Sequence, residues 1–424
     1  MLPSELLSKA RALDEADELS AFRDEFHLPT GPTGRPAAYF AGNSLGLQPK
    51  AAAGVVEEEM ADWRRWGVLG HHEARRPWVK YHEFLTEVGA QLTGAQPSEV
   101  VHMNSTSVNL HLMMASFYRP TPKRFCILME KGSFPSDRYA VTSHLGWHGL
   151  SESEALIEIA PRAGETVLRT EDILEVIRSR GPQIALVLFS GVQYATGQAF
   201  DLPAIAAAGH AAGCMVGFDL AHAVGNVPLQ LHEWDPDFAV WCSYKYLNGG
   251  PGAVAGCFVH QRHARAFDRP RLAGWWGHDK HERFRMEPQF KPMEGAEGWQ
   301  LSNPPVLGLA PLLASYSVFE RATLPRLRAK SLRLTGFLEQ ILDATLSDKV
   351  EILTPRDPQQ RGCQLSLRIR AGRQQGRKAF EHMEAAGVIC DWREPDIIRA
   401  APVPLYNNAA DLCRLAEALA EALN

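Results

Sequence analysis

The segments Ile184-Ala-Leu-Val-Leu-Phe189 and Cys214-Met-Val-Gly-Phe218 are two short apolar runs. Runs of this kind are typical of strands that are buried on both faces of a parallel sheet. Between them, Asp201-Leu-Pro-Ala204 predicts the start of a helix, because Asp is a good N-cap and Pro suits a first turn. We expect that helix to end near Gly213. Strand, helix and strand in this order predict an α/β fold with a mostly parallel sheet.

Two more apolar runs, residues 238–242 and 253–259, extend the predicted sheet. After Asn303-Pro-Pro305 the pattern changes to a long helical stretch over roughly residues 306–342, whose length suggests a connection between domains. Residues 363–369 then alternate between apolar and polar, which predicts a strand with one face in water.

The C-terminal segment carries Leu412, Leu415, Leu419 and Leu423 at helical spacing, with Asn408 as a cap. We therefore predict a large α/β domain followed by a small C-terminal α+β domain. The predicted bounds are an N-terminal arm over residues 1–45 that packs with the small domain, a large domain over 46–304 and a small domain over 305–424.

Composition excludes several classes of protein. The chain has 424 residues, with 44 Lys plus Arg against 49 Asp plus Glu, so it offers no basic surface for nucleic acid. Seven cysteines without a C-x-x-C motif fit neither a disulfide framework nor a Cys-based zinc site. The first residues do not resemble a signal peptide, and the longest weakly polar run, residues 204–218, is too short for a bilayer. We expect a cytoplasmic protein that binds neither nucleic acid nor membrane.

Polar residues follow three of the predicted strands: Ser190, Asp219 and the pair Tyr244-Lys245. Ligands of open α/β sheets bind outside these strand ends. A desolvated lysine can form a Schiff base with an aldehyde, and a carboxylate on the adjacent strand could keep a pyridine nitrogen protonated. On its own, Lys245 would be interpreted as a structural residue in a salt bridge. Together with Asp219, it favours a pyridoxal-phosphate site.

Two other motifs carry less weight. The stretch Gly249-Gly-Pro-Gly-Ala-Val-Ala-Gly256 contains a loose dinucleotide-binding pattern, but it precedes a strand where that motif should open a helix. A turn beside Lys245 is the better interpretation. The pairs His71-His72 and His278-x-x-His281 have no Cys or Glu partner at a useful spacing, so we predict no metal site.

Several longer stretches together resemble the kynureninase family, whose members are pyridoxal-phosphate hydrolases of fold type I. The resemblance covers nearly the whole chain and rests on these segments: Tyr39-Phe-Ala-Gly-Asn-Ser-Leu-Gly-Leu-Gln-Pro49, Ser107-Val-Asn-Leu-His-Leu112, Phe134-Pro-Ser-Asp137, Phe218-Asp-Leu-Ala-His-Ala-Val-Gly-Asn226, Trp241 to Asn248, and Ala401-Pro-Val-Pro-Leu-Tyr406. Any one of these stretches alone would be a weak signal.

The resemblance implies roles for individual residues. Lys245 would carry pyridoxal 5′-phosphate as a Schiff base, and Tyr244 would transfer protons and contact the phosphate. The other implied cofactor contacts are Thr106, Ser107, Phe134, Asp137, Ser190, Asp219 and His222, with Trp275 and Asn303 supplied by the partner subunit of a homodimer. The implied substrate contacts are Ser44, His71, Asn303 and Arg399.

Structural explanations compete with some of these roles. Phe134 and Trp275 could be core aromatics, Ser107 and Asp137 could be helix caps, and Arg399 could be a surface charge. His72 could replace its neighbour His71 in the pocket, and Asn303 could cap the helix that follows.

The activity that the resemblance implies is hydrolysis of L-kynurenine or 3-hydroxy-L-kynurenine to the matching anthranilate and L-alanine, in tryptophan catabolism or NAD biosynthesis. The alternatives are a class V aminotransferase or cysteine desulfurase of the same fold type and, more distantly, a NAD-dependent oxidoreductase. The resemblance also implies a preference for the 3-hydroxylated substrate, which in this family accompanies a His in the position of His71 and an Asn in the position of Asn303. A buried phenol needs a polar partner, which these side chains would supply.

Overall fold

The computed structural model describes residues 2–32 and 34–424. The strands are β1 (Ala38–Tyr39), β2 (Val100–His102), β3 (Cys126–Glu130), β4 (Leu156–Ile159), β5 (Ile184–Ser190), β6 (Met215–Asp219), β7 (Phe238–Trp241), β8 (Gly256–Val259), β9 (Val350–Ile352), β10 (Leu365–Ile369), β11 (Val388–Ile389), β12 (Asp391–Arg393) and β13 (Ile397–Ala400). The α-helices are α1 (Ser4–Glu15), α2 (Ala51–Trp66), α3 (Gly70–Glu73), α4 (Thr86–Thr93), α5 (Thr106–Phe117), α6 (Pro135–Trp147), α7 (Glu152–Ala155), α8 (Thr170–Arg180), α9 (Leu202–Ala211), α10 (Leu231–Trp234), α11 (Val306–Ala322), α12 (Leu324–Thr345), α13 (Arg373–Ala385) and α14 (Ala409–Ala422).

A seven-stranded sheet with the order β2-β8-β7-β6-β5-β3-β4 forms the centre of the large domain. Neighbouring strands from β7 to β4 are parallel, and β8 runs antiparallel to both of its neighbours. The strands β3, β7 and β8 are buried throughout, as expected of a sheet covered on both faces. The mostly parallel α/β domain predicted from the sequence is confirmed.

Helix α9 connects β5 to β6 and shows how the sequence sets one crossover. The Asp201 side chain accepts a hydrogen bond from the backbone N–H of Ala204 at 3.1 Å, so it is the N-cap that the sequence predicts. Pro203 lies in the first turn, where its missing N–H costs nothing. The crossover brings Ser190 and Asp219 into register at the same edge of the sheet.

The small domain has a four-stranded antiparallel sheet in the order β12-β13-β10-β9, and α13 and α14 pack against each other beside it. Our prediction that residues 363–369 have one face in water is wrong. In β10 even Ser366 is fully buried, and only Arg368 is partly exposed. The Ser366 hydroxyl donates to the carbonyl of Ala195 in the large domain, so the polar face of this strand meets protein instead of solvent.

The long helical stretch predicted over residues 306–342 consists of two helices, α11 and α12. Thr323 separates them with a left-handed φ of 58°. Pro325 in the first turn of α12 lacks the N–H that a continuous helix would need there. Leu327, near the start of α12, packs in the core of the large domain. Leu334, about two turns further along the same helix, packs in the core of the small domain. The pair of helices therefore connects the two cores.

The N-terminal segment contacts the small domain. Leu6 and Phe40 belong to the core of that domain, and β1 pairs in parallel with β11. Phe26, in contrast, packs in the core of the large domain. The predicted domain bounds at residues 45 and 304 stay a prediction. No helix within the described residues is long and apolar enough to cross a membrane.

Candidate active site

A pocket lies at the carboxyl ends of β5, β6 and β7, where the sequence predicts a ligand site. It encloses about 510 Å³, including solvent at its mouth. Nine of the predicted residues line it together: Thr106, Ser107, Phe134, Asp137, Ser190, Asp219, His222, Tyr244 and Lys245. These residues come from five segments of the chain, so the fold brings the predicted cofactor contacts to one place.

Lys245 is buried at the base of this pocket, with 8% of its surface exposed. Its Nζ lies 3.0 Å from Nε2 of His222 and 5.6 Å from the centre of the Phe134 ring. Burial, and then the neighbouring Lys245, hold the pKa of His222 well below its ordinary value. His222 is therefore neutral and can share a hydrogen bond with the lysine without competing with it for charge.

Asp219 and Asp137 form a pair of buried carboxyl groups opposite the lysine. One Asp219 oxygen accepts from the backbone N–H of Ala221 at 2.8 Å, which fixes the carboxylate at the end of β6. Burial, followed by the charge of Asp219, raises the pKa of Asp137 well above its ordinary value. The proximity of Asp219 therefore favours the protonated form of Asp137.

An aromatic ring and a helix N-terminus close the other sides of the pocket. Phe134 precedes Pro135 at the start of α6 and packs edge-on against Tyr194, with ring centres 5.3 Å apart. The ring of Phe134 is 41% exposed, so it faces the pocket and is not a core aromatic. Thr106 and Ser107 begin the twelve-residue helix α5, whose cap is Ser105 and not Ser107. Hydroxyls and free backbone N–H groups at such an end suit a phosphate.

Tyr244 lies beside Lys245 on the loop after β7. Burial raises the pKa of Tyr244 well above its ordinary value, and the nearby Cys242 thiol adds to this effect. The phenol is therefore a proton donor at neutral pH. The backbone N–H of Gly46 donates to the Tyr244 carbonyl at 2.8 Å, which ties the loop to the N-terminal segment.

Gly46 explains why the segment around Ser44 approaches the lysine so closely. A Cβ at Gly46 would lie 2.3 Å from the backbone oxygen of Lys245, so no other residue fits there. Ser44 itself is half-buried and lies two residues before this contact, but it does not line the pocket. The structure thus places Ser44 next to the site without a direct contact.

Arg399 lies in β13 behind the pocket and is only 1% exposed, which excludes the surface charge considered from the sequence. Its Nη2 contacts Asp391 at 2.5 Å, and its Nη1 donates to the carbonyl of Tyr194 at 2.8 Å. The same Asp391 also binds Arg393 at 3.1 Å. Through Tyr194, which lines the pocket, Arg399 is connected to the site.

The loop that carries Tyr194 is held by the small domain. Gln364 donates to the Tyr194 carbonyl at 3.0 Å, and Thr354 donates to the Thr196 carbonyl at 2.6 Å. Gln364 also accepts from Asn43 of the N-terminal segment at 2.8 Å. Three parts of the chain therefore meet at one side of the pocket.

Besides Ser44 and Arg399, three more predicted site residues lie outside this pocket. Trp275 is 41% exposed and packs against Phe284, with ring centres 5.4 Å apart. Asn303 is exposed, and it does not cap α11, because that helix begins after Pro305 without a side-chain cap. His71 packs edge-on against Trp78, whereas the exposed His72 lies 6.5 Å from Phe284. His72 is thus the histidine on the side of Trp275.

Sequence reasoning missed several residues at the site. Tyr194 and Cys242 line the pocket, Glu130 lies behind Ser190, and Gln364 holds the Tyr194 loop. The sequence does contain a signal for Glu130, because this residue ends the apolar run of β3, just as Ser190 and Asp219 end the runs of β5 and β6. Cys242 directly follows β7, so the same rule applies to it, whereas Tyr194 and Gln364 depend on contacts between distant segments.

Two groups of possible metal ligands lie away from the pocket: Glu99 with His232 and His260, and His82 with Glu83 and Glu297. In the first group, Nδ1 of His260 accepts the backbone N–H of Arg262, so its proton belongs on Nε2, the atom that faces Glu99. That arrangement leaves His260 without a free nitrogen for a metal. The histidine pairs noted in the sequence belong to neither group.

The residues that line the pocket fit pyridoxal phosphate. The fit rests on a buried amine for an aldehyde, a carboxylate for a pyridinium nitrogen, an exposed aromatic face and a helix N-terminus for a phosphate. The Nδ1 atom of His222 is also buried without a hydrogen-bond partner among the described residues, which leaves a polar group free for a ligand.

Solved structures with the same fold agree with this geometry. A mutant of C-DES with glycine linked to its PLP cofactor superposes with a TM-score of 0.78 at 18% identity, covering 94% of this chain and 99% of that chain. The cysteine desulfurase CsdA from Escherichia coli superposes with a TM-score of 0.77 at 16% identity, covering 96% and 98%. Fold and site together define a fold type I pyridoxal-phosphate enzyme, which confirms the predicted fold class.

Sequence comparison narrows this class. Residues 327–419 match the kynureninase C-terminal domain family. The kynureninase of Myxococcus xanthus is 59% identical over 412 residues, covering 97% of this chain and 96% of the relative. That of Koribacter versatilis is 54% identical with the same coverage. The chain belongs to the kynureninase family, and the resemblance drawn from the sequence is confirmed.

Proposed function

We propose that this enzyme hydrolyses the Cβ–Cγ bond of L-kynurenine or 3-hydroxy-L-kynurenine, giving the matching anthranilate and L-alanine. The observation that carries this proposal is the joint presence of Lys245, Asp219 and Phe134 around one pocket in a chain of the kynureninase family. Pyridoxal phosphate would be held by Lys245, by Asp219 at its pyridine nitrogen and by Thr106 and Ser107 at its phosphate. When bound, it draws electrons from the amino-acid substrate, so that bonds near the α-carbon can break.

The side chains of the pocket would divide the proton transfers. Lys245, once its amine is free, takes the proton from Cα of the substrate, and neutral His222 keeps that amine in place through the 3.0 Å contact. Tyr244, with its raised pKa, donates a proton at the γ-carbonyl. Water adds to this carbonyl, the Cβ–Cγ bond breaks, the oxygen from water leaves in the anthranilate carboxylate, and Cβ takes up a proton to complete alanine.

Arg399 would bind the α-carboxylate of the substrate. A guanidinium matches a carboxylate with two parallel hydrogen bonds. Its contacts with Asp391 and the Tyr194 carbonyl hold the group in one orientation, and its Nε has no partner among the described residues. That free N–H supports a role in binding an anion.

A homodimer would complete the site with Trp275 and Asn303 of the partner subunit. Neither residue lines the pocket of its own chain, and Trp275 packs against another exposed aromatic side chain, Phe284, which supports this proposal. Light scattering should give the mass of two chains.

We also place the enzyme in the cytoplasm, in tryptophan catabolism and NAD biosynthesis.

The same fold also serves cysteine desulfurases, and the cysteines argue against that activity here. All seven are buried, and burial raises the pKa of Cys242, the one that lines the pocket, whereas a desulfurase needs a reactive thiolate. A NAD-dependent oxidoreductase is disfavoured because residues 249–256 form a turn and the start of β8 and open no helix.

The test is a product assay on the holoenzyme with kynurenine, 3-hydroxykynurenine and cysteine supplied separately. We expect an anthranilate and alanine in equal amounts from the kynurenines, and no sulfide from cysteine. The bound cofactor should give a visible absorption band that borohydride abolishes. Sulfide release, or a keto acid in place of alanine, would contradict the proposed reaction.

A further inference from the structure

Glu130 is a buried carboxyl group that the proposed reaction does not use. It is the last residue of β3, and β3 pairs with β5, which ends in Ser190. On the other side of β5, Ser190 is in register with Asp219 of β6. Three adjacent strands therefore end in a row of polar residues, with Ser190 in the middle and facing the pocket.

The surroundings of Glu130 leave one of its oxygens without a partner. The side chain is 2% exposed, and Oε1 lies 2.5 Å from the Ser190 hydroxyl. Oε2 is buried and accepts no hydrogen bond from the described residues, and no Lys, Arg or His among them forms an ion pair with this carboxyl. The charged groups that face it are Asp219 from β6, Asp137 from α6 and, beyond Asp137, Lys245.

This arrangement favours the neutral acid over the carboxylate. A buried charged oxygen without a partner is costly, whereas the carbonyl oxygen of a neutral acid costs much less. Burial raises the pKa of Glu130 to about 7, against the opposing effect of the hydrogen bond with Ser190. Glu130 therefore gains and loses its proton near neutral pH.

The proton of Glu130 decides what Ser190 can offer to a ligand. When Glu130 is protonated on Oε1, that O–H donates to the Ser190 oxygen, and the hydroxyl proton of Ser190 is free to point into the pocket. Once Glu130 is ionised, the Ser190 hydroxyl donates to Oε1 instead, which is the direction that this hydrogen bond has in the structure. The ionised group also adds a negative charge beside Asp137 and Asp219.

We propose that Glu130 is a positioning residue whose protonation state decides whether Ser190 donates a hydrogen bond to the bound cofactor. The proposal rests on the proposed function, because it takes the pocket to be the pyridoxal-phosphate site.

Two variants separate this role from a structural one. Glu130→Gln keeps a donor toward Ser190 but cannot ionise, and Glu130→Met has a similar size without a donor. The control is Glu158→Gln on the neighbouring strand β4, where Glu158 is a quarter exposed and binds Arg138. Each apoenzyme is titrated with pyridoxal 5′-phosphate between about pH 6 and pH 8.5, and the affinity and visible spectrum are recorded.

In the parent enzyme, affinity and spectrum should change with a midpoint near pH 7. Glu130→Gln should show no such change with pH, and its affinity for the cofactor should stay within about twofold of the affinity that the parent has at pH 6. Glu130→Met should bind the cofactor about fivefold more weakly than the parent, which is the effect of losing one hydrogen bond. The Glu158 variant should behave as the parent does. A pH step that persists in Glu130→Gln, or parent-like affinity in Glu130→Met, would overturn the proposal. Kynurenine cleavage is assayed separately, so an enzyme that binds cofactor without cleaving kynurenine contradicts only the proposed reaction.

Discussion

Replacing Arg399 by Ala removes the group that we propose binds the substrate carboxylate. The guanidinium is 1% exposed and held by Asp391 at 2.5 Å and by the Tyr194 carbonyl at 2.8 Å. A hydrogen bond to a charged group contributes about 1.5–3 kcal/mol, so the loss of two costs about 3 kcal/mol at the lower limit. This free energy corresponds to a KM that rises by roughly 150-fold.

The same substitution leaves Asp391 with Arg393 as its remaining ion pair at 3.1 Å, so we also expect some loss of stability. Arg399→Lys separates the two effects. It keeps a positive charge near Asp391 but loses the planar fork, so KM should rise by about tenfold, less than in the alanine variant.

Steady-state kinetics with kynurenine and the visible spectrum of the bound cofactor provide the assay. The spectrum should persist in both variants, because Arg399 does not line the cofactor pocket. Arg368→Ala is the matched control. Arg368 lies on the adjacent strand β10, forms an ion pair with Asp396 and does not line the pocket. A KM that rises less than threefold in Arg399→Ala, or a lost cofactor band with an unchanged KM, would refute this role.

Three further predictions concern the lysine, the substrate and acid stability. Lys245→Ala should abolish kynurenine turnover and the borohydride-sensitive band while its circular dichroism matches the parent; turnover at the parent rate would exclude the assigned role. The parent should have the higher kcat/KM for 3-hydroxykynurenine, and His71→Trp with Asn303→Thr should shift preference toward kynurenine; a parent that favours kynurenine severalfold contradicts the specificity. Burial lowers the pKa of His102 to about 3, so the folded state binds fewer protons than the unfolded state, and stability falls as pH drops from about 6.5 toward 3. The free energy of unfolding in urea should therefore fall less steeply between pH 6 and pH 4 in His102→Asn than in the parent, by up to about 1.4 kcal/mol per pH unit. If the free energy of unfolding falls equally steeply in both proteins, the lowered pKa of His102 is contradicted.

The central sheet and most of the pocket could be predicted because local signals carry them. Apolar runs define the strands, and the polar residues that end them, such as Ser190 and Asp219, must meet at one edge of a parallel sheet. The cap at Asp201 is equally local. Glu130 ends its strand in the same way, so the rule that indicated the other residues applied to it too.

The remaining features depend on contacts between distant parts of the chain. The alternation of residues 363–369 predicts a wet face, but Ser366 and Gln364 meet the loop of the large domain that carries Tyr194. Their polar groups therefore bind backbone carbonyls, which no local pattern reveals. The break at Thr323 is an intermediate case, because Pro325 marks it in the sequence.

Oxygen-18 water gives the most direct test of the central claim, the hydrolytic cleavage of a kynurenine. The holoenzyme is incubated with kynurenine in labelled water, and the products are analysed by mass spectrometry. The proposed reaction adds one oxygen from water to the γ-carbonyl, so each anthranilate should carry one labelled oxygen in its carboxylate and be accompanied by one alanine. Anthranilate without the label, or an amino-group transfer product in place of alanine, would contradict the proposed reaction.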